Sequence, residues 1–186
     1  MTEKIIIAGA GGQGVMLLGK VIAQAAMKQD KYVTWLPCYG AEVRGGTAYC
    51  MVVVSDEEIG SPCVDKADTL IIMNSPSFDK FKLRIKENGL LIVNSSLVQQ
   101  KIETKNQNIQ CPFYDIAAEL GNIKIANMVA LGCYIAKKNI IDKQVVLETL
   151  DQIAPKDKRD LIEINNQAIN SGIDFINNDV QKERKK

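Results

Sequence analysis

The chain contains no histidine among its 186 residues. That removes Ser-His-Asp and Cys-His catalysis, and the commonest metal ligand, from anything it does alone. Its five cysteines, Cys38, Cys50, Cys63, Cys111 and Cys133, are odd in number and widely spaced, with no CxxC pair to begin a zinc or iron–sulfur site. They read as buried or semi-buried free thiols of a reducing compartment. No run approaches the ~18–20 apolar residues that cross a bilayer. The start MTEKIIIAGAGG carries Glu3 ahead of a short apolar core, which is not the pattern of a secretory signal. With a formal net charge of +1, 46% apolar and 24% charged residues, neither disorder nor a broad nucleic-acid-binding field is indicated. The expectation is a soluble, cytoplasmic protein with neither a membrane nor a nucleic acid as partner.

What is present is an alternation of short apolar runs and helix-patterned stretches. KIIIAG (4–9) reads as a buried strand, and Val15, Leu18, Ile22 and Ala25 or Ala26 recur at helical spacing between Gln13 and Gln29. Further strands are expected at 32–37, 47–55, 69–74, 90–96 and 109–115. Ser75-Pro76-Ser77 offers a cap and an early proline for a helix running to Asn88-Gly89. Later helices are expected at 115–120, 125–138, 142–153 and about 157–178. The pattern predicts an α/β, Rossmann-like fold, a mostly parallel sheet with flanking helices and a helical C-terminal portion. No repeat or low-complexity linker divides it, so residues 1–180 are expected to form a single domain, followed by a solvated charged tail, QKERKK (181–186).

Gly9, Gly11 and Gly14 satisfy G-x-G-x-x-G between a strand and a helix. In such a loop the first glycine makes the turn, the second admits a phosphate to the backbone, and the third lets helix pack on strand. Gly9, Gly11, Gly12, Gln13 and Gly14 are therefore the candidate phosphate loop. For NAD or FAD the second strand should end in a carboxylate for the ribose, but here Pro37, Cys38 and Tyr39 stand there and Glu42 comes too late. Nor is there a P-loop lysine spacing. A structural turn, or a cradle for some other phosphate, fits better than a dinucleotide site.

A second glycine loop, CYGAEVRGGTAYC (38–50), places Gly40, Gly45 and Gly46 around Glu42 and Arg44. Loops that follow strands gather at the carboxyl edge of an open sheet, so both loops should share one rim. Arg44 could hold a phosphate or carboxylate, and Tyr39 could pack on a ring or a partner. Equally, the stretch could be a turn with a local Glu42–Arg44 pair worth about 0–1 kcal/mol.

Taken together, GAGGQGVMLLGKVIA (9–23), YGAEVRGGTAYCMVVVS (39–55), ADTLIIMN (67–74) and NMVALG (127–132) resemble the gamma subunit of the 2-oxoacid:ferredoxin oxidoreductases over about the first 150 residues. YGAEVRGGTAYC looks most like the 2-oxoglutarate branch, with Ala41 where proline is common. The resemblance implies an enzyme that converts a 2-oxoacid and coenzyme A to an acyl-CoA and CO2, succinyl-CoA for 2-oxoglutarate, and reduces ferredoxin. It implies alpha and beta subunits, and in some complexes a delta subunit, that carry thiamine diphosphate, Mg2+ and [4Fe–4S] clusters, with this chain inactive alone. It further implies a subunit contact at Tyr39, Gly40, Glu42, Arg44, Gly45, Gly46 and Asn127, and a coenzyme A approach along the first glycine loop. Met128, Val129 and Leu131 read as a buried helix face, and Trp35 as core or interface. Two rival readings are a stand-alone Rossmann-type reductase using NAD(P)H and a non-catalytic nucleotide-sensing module.

Overall fold

The structure, a computed structural model, describes residues 1–38, 47–102, 104–153 and 159–183. Six strands form one sheet: β1 (Thr2–Gly9), β2 (Tyr32–Cys38), β3 (Ala48–Ser55), β4 (Ala67–Ile72), β5 (Ile85–Asn94) and β6 (Gln107–Cys111). Their order is β2-β3-β1-β4-β5-β6. β1, β4, β5 and β6 pair in parallel, while β3 lies antiparallel between β1 and β2. Five strands thus point one way and β3 alone is reversed. The reversal follows from the connection: a parallel crossover needs a dozen or more residues, and only 39–47 separate β2 from β3.

Helix α1 (Val15–Met27) follows β1, α2 (Ser75–Phe81) follows β4, and α3 (Phe113–Glu119), α4 (Ala126–Lys138), α5 (Lys143–Ile153) and α6 (Arg159–Glu183) complete the chain. Ile5 and Ile7 of β1 pack with Val15 and Leu18 of α1 and with Val129 and Tyr134 of α4 on one face of the sheet. Ile6 and Ala8 pack with Phe78 and Phe81 of α2 on the other. The period-two alternation of β1 therefore feeds two cores, which is why its apolar run is continuous. Met128, Val129 and Leu131 are buried as the NMVALG pattern predicts.

Several expectations need correction, among them the strand expected to 115, which ends at Cys111 with α3 beginning at Phe113. The helix at 75 stops at Phe81, passes through one 3-10 turn (Lys82–Arg84), and gives way to β5 at Ile85, ahead of the expected start at 90. Asn88-Gly89 is not a helix stop but an irregularity inside β5, with Asn88 at φ 61° and the pairing with β4 shifted between Ala67 and Thr69. The cap of α2 is Asn74, whose side chain accepts from the Ser77 N–H, and Pro76 sits in the first turn. Among the cysteines, Cys50, Cys111 and Cys133 are buried and Cys38 is half-buried, but Cys63 is exposed; all are free thiols.

One carboxylate lies inside the fold. Glu3 is buried, accepts from the Thr69 hydroxyl, and has the Lys138 ammonium 3.2 Å away. Burial raises its pKa above the ordinary value despite both partners. A carboxyl that holds its proton more tightly when folded contributes stability fully present below its unfolded pKa and lost as pH rises through the folded one. Relative to Glu3→Gln, the wild-type melting temperature is therefore expected to fall as pH rises above the ordinary carboxylate range. A difference that stays flat as pH rises would contradict the assignment.

Candidate functional site

The carboxyl edge of the sheet is where the chain concentrates its irregular backbone. β1 ends there at Gly9, opposite Ala48 at the start of β3, and β2 ends there at Cys38, opposite Tyr49. After β1 the chain passes to one face as α1, and after β4 to the other as α2. Such a divergence between adjacent parallel strands opens a crevice, the usual ligand position in open α/β sheets. Tyr39, Gly40, Glu42, Arg44, Gly45 and Gly46 lie outside the described residues. Their flanks, Cys38 and Ala48, stand at this rim.

In the first loop the glycines serve different ends. A Cβ on Gly9 would come 2.8 Å from Gln13 Oε1, 2.8 Å from Val15 Cγ2 and 2.9 Å from Met73 Cβ. Gly12, at φ +85°, faces open space, and both Gly11 and Gly12 are exposed. Gly14, at φ +72°, is the N-cap of α1, and a Cβ there would fall 2.3 Å from Asn127 Nδ2. The third glycine thus makes room for Asn127 rather than for a strand. Close helix-to-strand approach occurs one turn later, at Gly19, where a Cβ would meet Cys50 Sγ at 2.4 Å. Burial pushes the Cys50 thiol up to about 12, so it is an inert packing group.

Gln13 organises the rim. Its Oε1 accepts from the Ala10 N–H at 2.7 Å and from Asn74 Nδ2 at 2.9 Å, while its Nε2 donates to the Tyr114 hydroxyl at 2.8 Å and, longer, to the Met73 carbonyl at 3.4 Å. Asn94 Nδ2 donates to the same Met73 carbonyl at 3.1 Å. One amide therefore ties the end of β1 to the end of β4 and to the start of α3, and its side chain lies between the ends of β1 and β4. Asn127, almost wholly buried, donates to the Gly14 carbonyl at 3.2 Å. Its side chain is engaged within this chain, against the glycine loop. Tyr114 and Asn74 were not legible as site residues, because they reach Gln13 across 101 and 61 positions, and Asn94 joins them only through Met73, 21 positions away.

The start of α1 is left open by its own side chains. Gly14 provides no capping side chain and no acidic residue stands in the first turn. The unpaired first-turn N–H groups and the positive helix end suit an anion. A dinucleotide ribose is another matter: with β3 inserted, Cys38 lies two strands, about 10 Å, from Gly9, too far for the usual carboxylate position. Gly14→Ala is expected to cost about 1–3 kcal/mol through left-handed strain and the clash with Asn127. Adding Asn127→Ala should restore only part of the loss in a denaturant titration; full restoration would show that φ contributes nothing.

A cavity of about 760 Å3 lies at the opposite edge, beside the start of β5, with Phe78, Leu91, Lys82, Lys86 and Lys105 in its lining. Lys82 and Lys86 are paired with Asp79 and Asp68. Among the described residues no group of three or more His, Cys, Asp or Glu side chains could hold a metal ion, and no helix is long and apolar enough to cross a membrane.

The family model for pyruvate ferredoxin/flavodoxin oxidoreductase matches residues 4–175. The chain is similar to the ketoisovalerate oxidoreductase subunit VorA of Methanothermobacter marburgensis, 34% identical over 182 residues, which are 97% of this chain but only 38% of that one. It is also similar to the 2-oxoglutarate synthase subunit KorC of Methanocaldococcus jannaschii, 36% identical over 160 residues, 84% of this chain and 86% of that one. The gamma subunit of a keto/oxoacid ferredoxin oxidoreductase from Geobacter sulfurreducens has the same fold, with a TM-score of 0.81 at 28% identity over 93% of this chain and 97% of that one. With the family model matching 4–175, nearly the whole of the sheet and the helices around it, the chain belongs to the pyruvate ferredoxin/flavodoxin oxidoreductase family.

Proposed function

We propose that this chain is the gamma subunit of a 2-oxoacid:ferredoxin oxidoreductase whose substrate is 2-oxoglutarate, converted with coenzyme A to succinyl-CoA and CO2 as ferredoxin is reduced. The observation that carries the substrate is the 36% identity to the 2-oxoglutarate synthase subunit KorC over 160 residues. The chemistry belongs to alpha, beta and in some complexes delta partners. Thiamine diphosphate with Mg2+, held by those partners, would supply the electron sink for decarboxylation, and [4Fe–4S] clusters there would supply the path for the electrons. Among the described residues the cysteines are all free and no group of three or more His, Cys, Asp or Glu side chains could hold a metal ion. Copurified complex should turn over 2-oxoglutarate faster than 2-oxoisovalerate or pyruvate; the reverse order would move it to another branch of the family.

This chain's own contribution is to present the α1 N-terminus to a phosphate of coenzyme A. The uncapped first turn and the exposed Gly11-Gly12 backbone support that reading. Gly12→Asp places a carboxylate where space is open, at a φ that Asp tolerates better than most residues. It is expected to raise KM for coenzyme A about tenfold, roughly 1.4 kcal/mol, while KM for the 2-oxoacid stays put. Equal changes in both constants, or none, would leave the loop a turn only.

A further inference from the structure

We infer that the cavity at the amino edge of the sheet, on the α2 side, binds a small amphipathic organic acid with an anionic head, an apolar stem and a hydroxyl or amide donor on that stem. It stands apart from the glycine rim, beside the start of β5 and the turn into β6. Its volume of about 760 Å3 falls within the ~300–1,000 Å3 of small-molecule sites.

The apolar stem follows from the walls. Phe78 and Leu91 reach the cavity from the α2-side core, and the half-buried Ile85 and Ile102 pack against that core from the same side. Leu83 joins the lining with 78% of its surface exposed, more than any other large apolar side chain among the described residues. A bound stem would cover it and take that surface from water.

The anionic head follows from the rim. Lys82, Lys86, Lys101 and Lys105 line the cavity together with one carboxylate, Glu87. Lys82 and Lys86 give a donor each to Asp79 and Asp68, at 2.9 and 2.7 Å, and an ammonium group has three. Donors of this kind above an apolar wall favour an anion with an apolar body over a neutral or cationic one.

The donor on the stem follows from Asn108. It pairs in register with Leu91, so its side chain lies on the cavity's face of the sheet, next to that leucine. Its Oδ1 is buried and has no hydrogen-bond partner among the described residues. A buried acceptor left in that condition is costly, and a donor carried by a bound molecule relieves it.

The test titrates 3-hydroxydecanoate into the full chain, followed by calorimetry and by amide shifts in NMR spectra. One saturable site with a Kd of about 1 mM or below is expected, with the shifts centred on 82–87 and 105–108. Decanoate, which lacks the hydroxyl, should bind about three- to tenfold more weakly, and decylamine at least about tenfold more weakly. Leu83→Asp sets a carboxylate at the mouth on an exposed position and should weaken binding about tenfold. Ile123→Asp makes a like change on a 58% exposed side chain between α3 and α4, and should match wild type. If Leu83→Asp fails to fold, Lys105→Glu, also at an exposed position, takes its place with the same expectation. Several molecules bound per chain, equal affinity for decylamine, or a rim variant that binds like wild type overturns the inference. Equal affinity for decanoate overturns it as well, because Asn108 would then lie outside the site. A site open in the free chain and closed in the copurified complex overturns it in favour of a subunit contact.

Discussion

Gly132→Ala is expected to lower the stability of this protein by about 3 kcal/mol and its melting temperature by about 6–12 °C. α4 and α6 cross with their backbones in contact: a Cβ on Gly132 would lie 2.1 Å from the Ile169 carbonyl oxygen, and one on Gly172 would lie 2.2 Å from that of Val129. Neither neighbour is a side-chain end that can swing away. The helices would have to separate, loosening Val129, Tyr134 and Ile169 in the core they share with β1. Gly60→Ala is the control, because nothing lies within 4 Å of its Cβ position. It should stay within about 0.5 kcal/mol of wild type. Thermal unfolding followed by circular dichroism distinguishes the two, and equal melting points would mean that the helix crossing yields at no cost.

The second large effect is at the rim. Gln13→Met keeps the volume of the side chain and deletes every hydrogen bond it makes, leaving the Ala10 N–H, Asn74 Nδ2 and Tyr114 hydroxyl without that partner. Stranded polar groups cost more than the bonds were worth, so a loss of about 2–4 kcal/mol is expected. Gln13→Glu keeps the acceptor for Ala10 and Asn74 and can accept from Tyr114, but cannot donate to Met73. It should fall between the two, about 1 kcal/mol below wild type. If Met and Glu cost the same, the network is not cooperative and Gln13 is not the pin described here. On the function proposed above, the Met variant should also disorder the loop before the fold, and so raise KM for coenzyme A before it lowers the melting point below working temperature.

The sequence made some of this legible. Local periodicity was sufficient for α1 and α4, since Val15, Leu18, Ile22 and the NMVALG stretch repeat at the spacing that the cores require. It was misleading at 82–89, where an apolar-basic run continued the helical pattern while the chain was already turning into β5. Asn88-Gly89 looks the same as a helix stop and as a strand irregularity, because both want positive φ. The reversed β3 was readable from the shortness of 39–47, had that length been set against what a crossover needs.

At the site, the glycines were visible because tight turns impose them locally. Their reasons were not, because Asn127 lies 113 positions from Gly14 and Tyr114 lies 101 positions from Gln13. Residues that meet only through the sheet leave no spacing in the sequence. The family resemblance supplied what periodicity could not, and the match across residues 4–175 bears it out.

The central claim is that the chain works only as part of a larger enzyme. The most direct measurement draws the complex from its native cells through a tag on this chain, under anoxic conditions, and follows methyl viologen reduction with 2-oxoglutarate and coenzyme A. The account predicts reduction that requires both substrates in the copurified complex and none by the isolated chain. An intact, cluster-containing complex that reduces nothing with any 2-oxoacid, or a lone chain that turns over NAD(P)H, would contradict it.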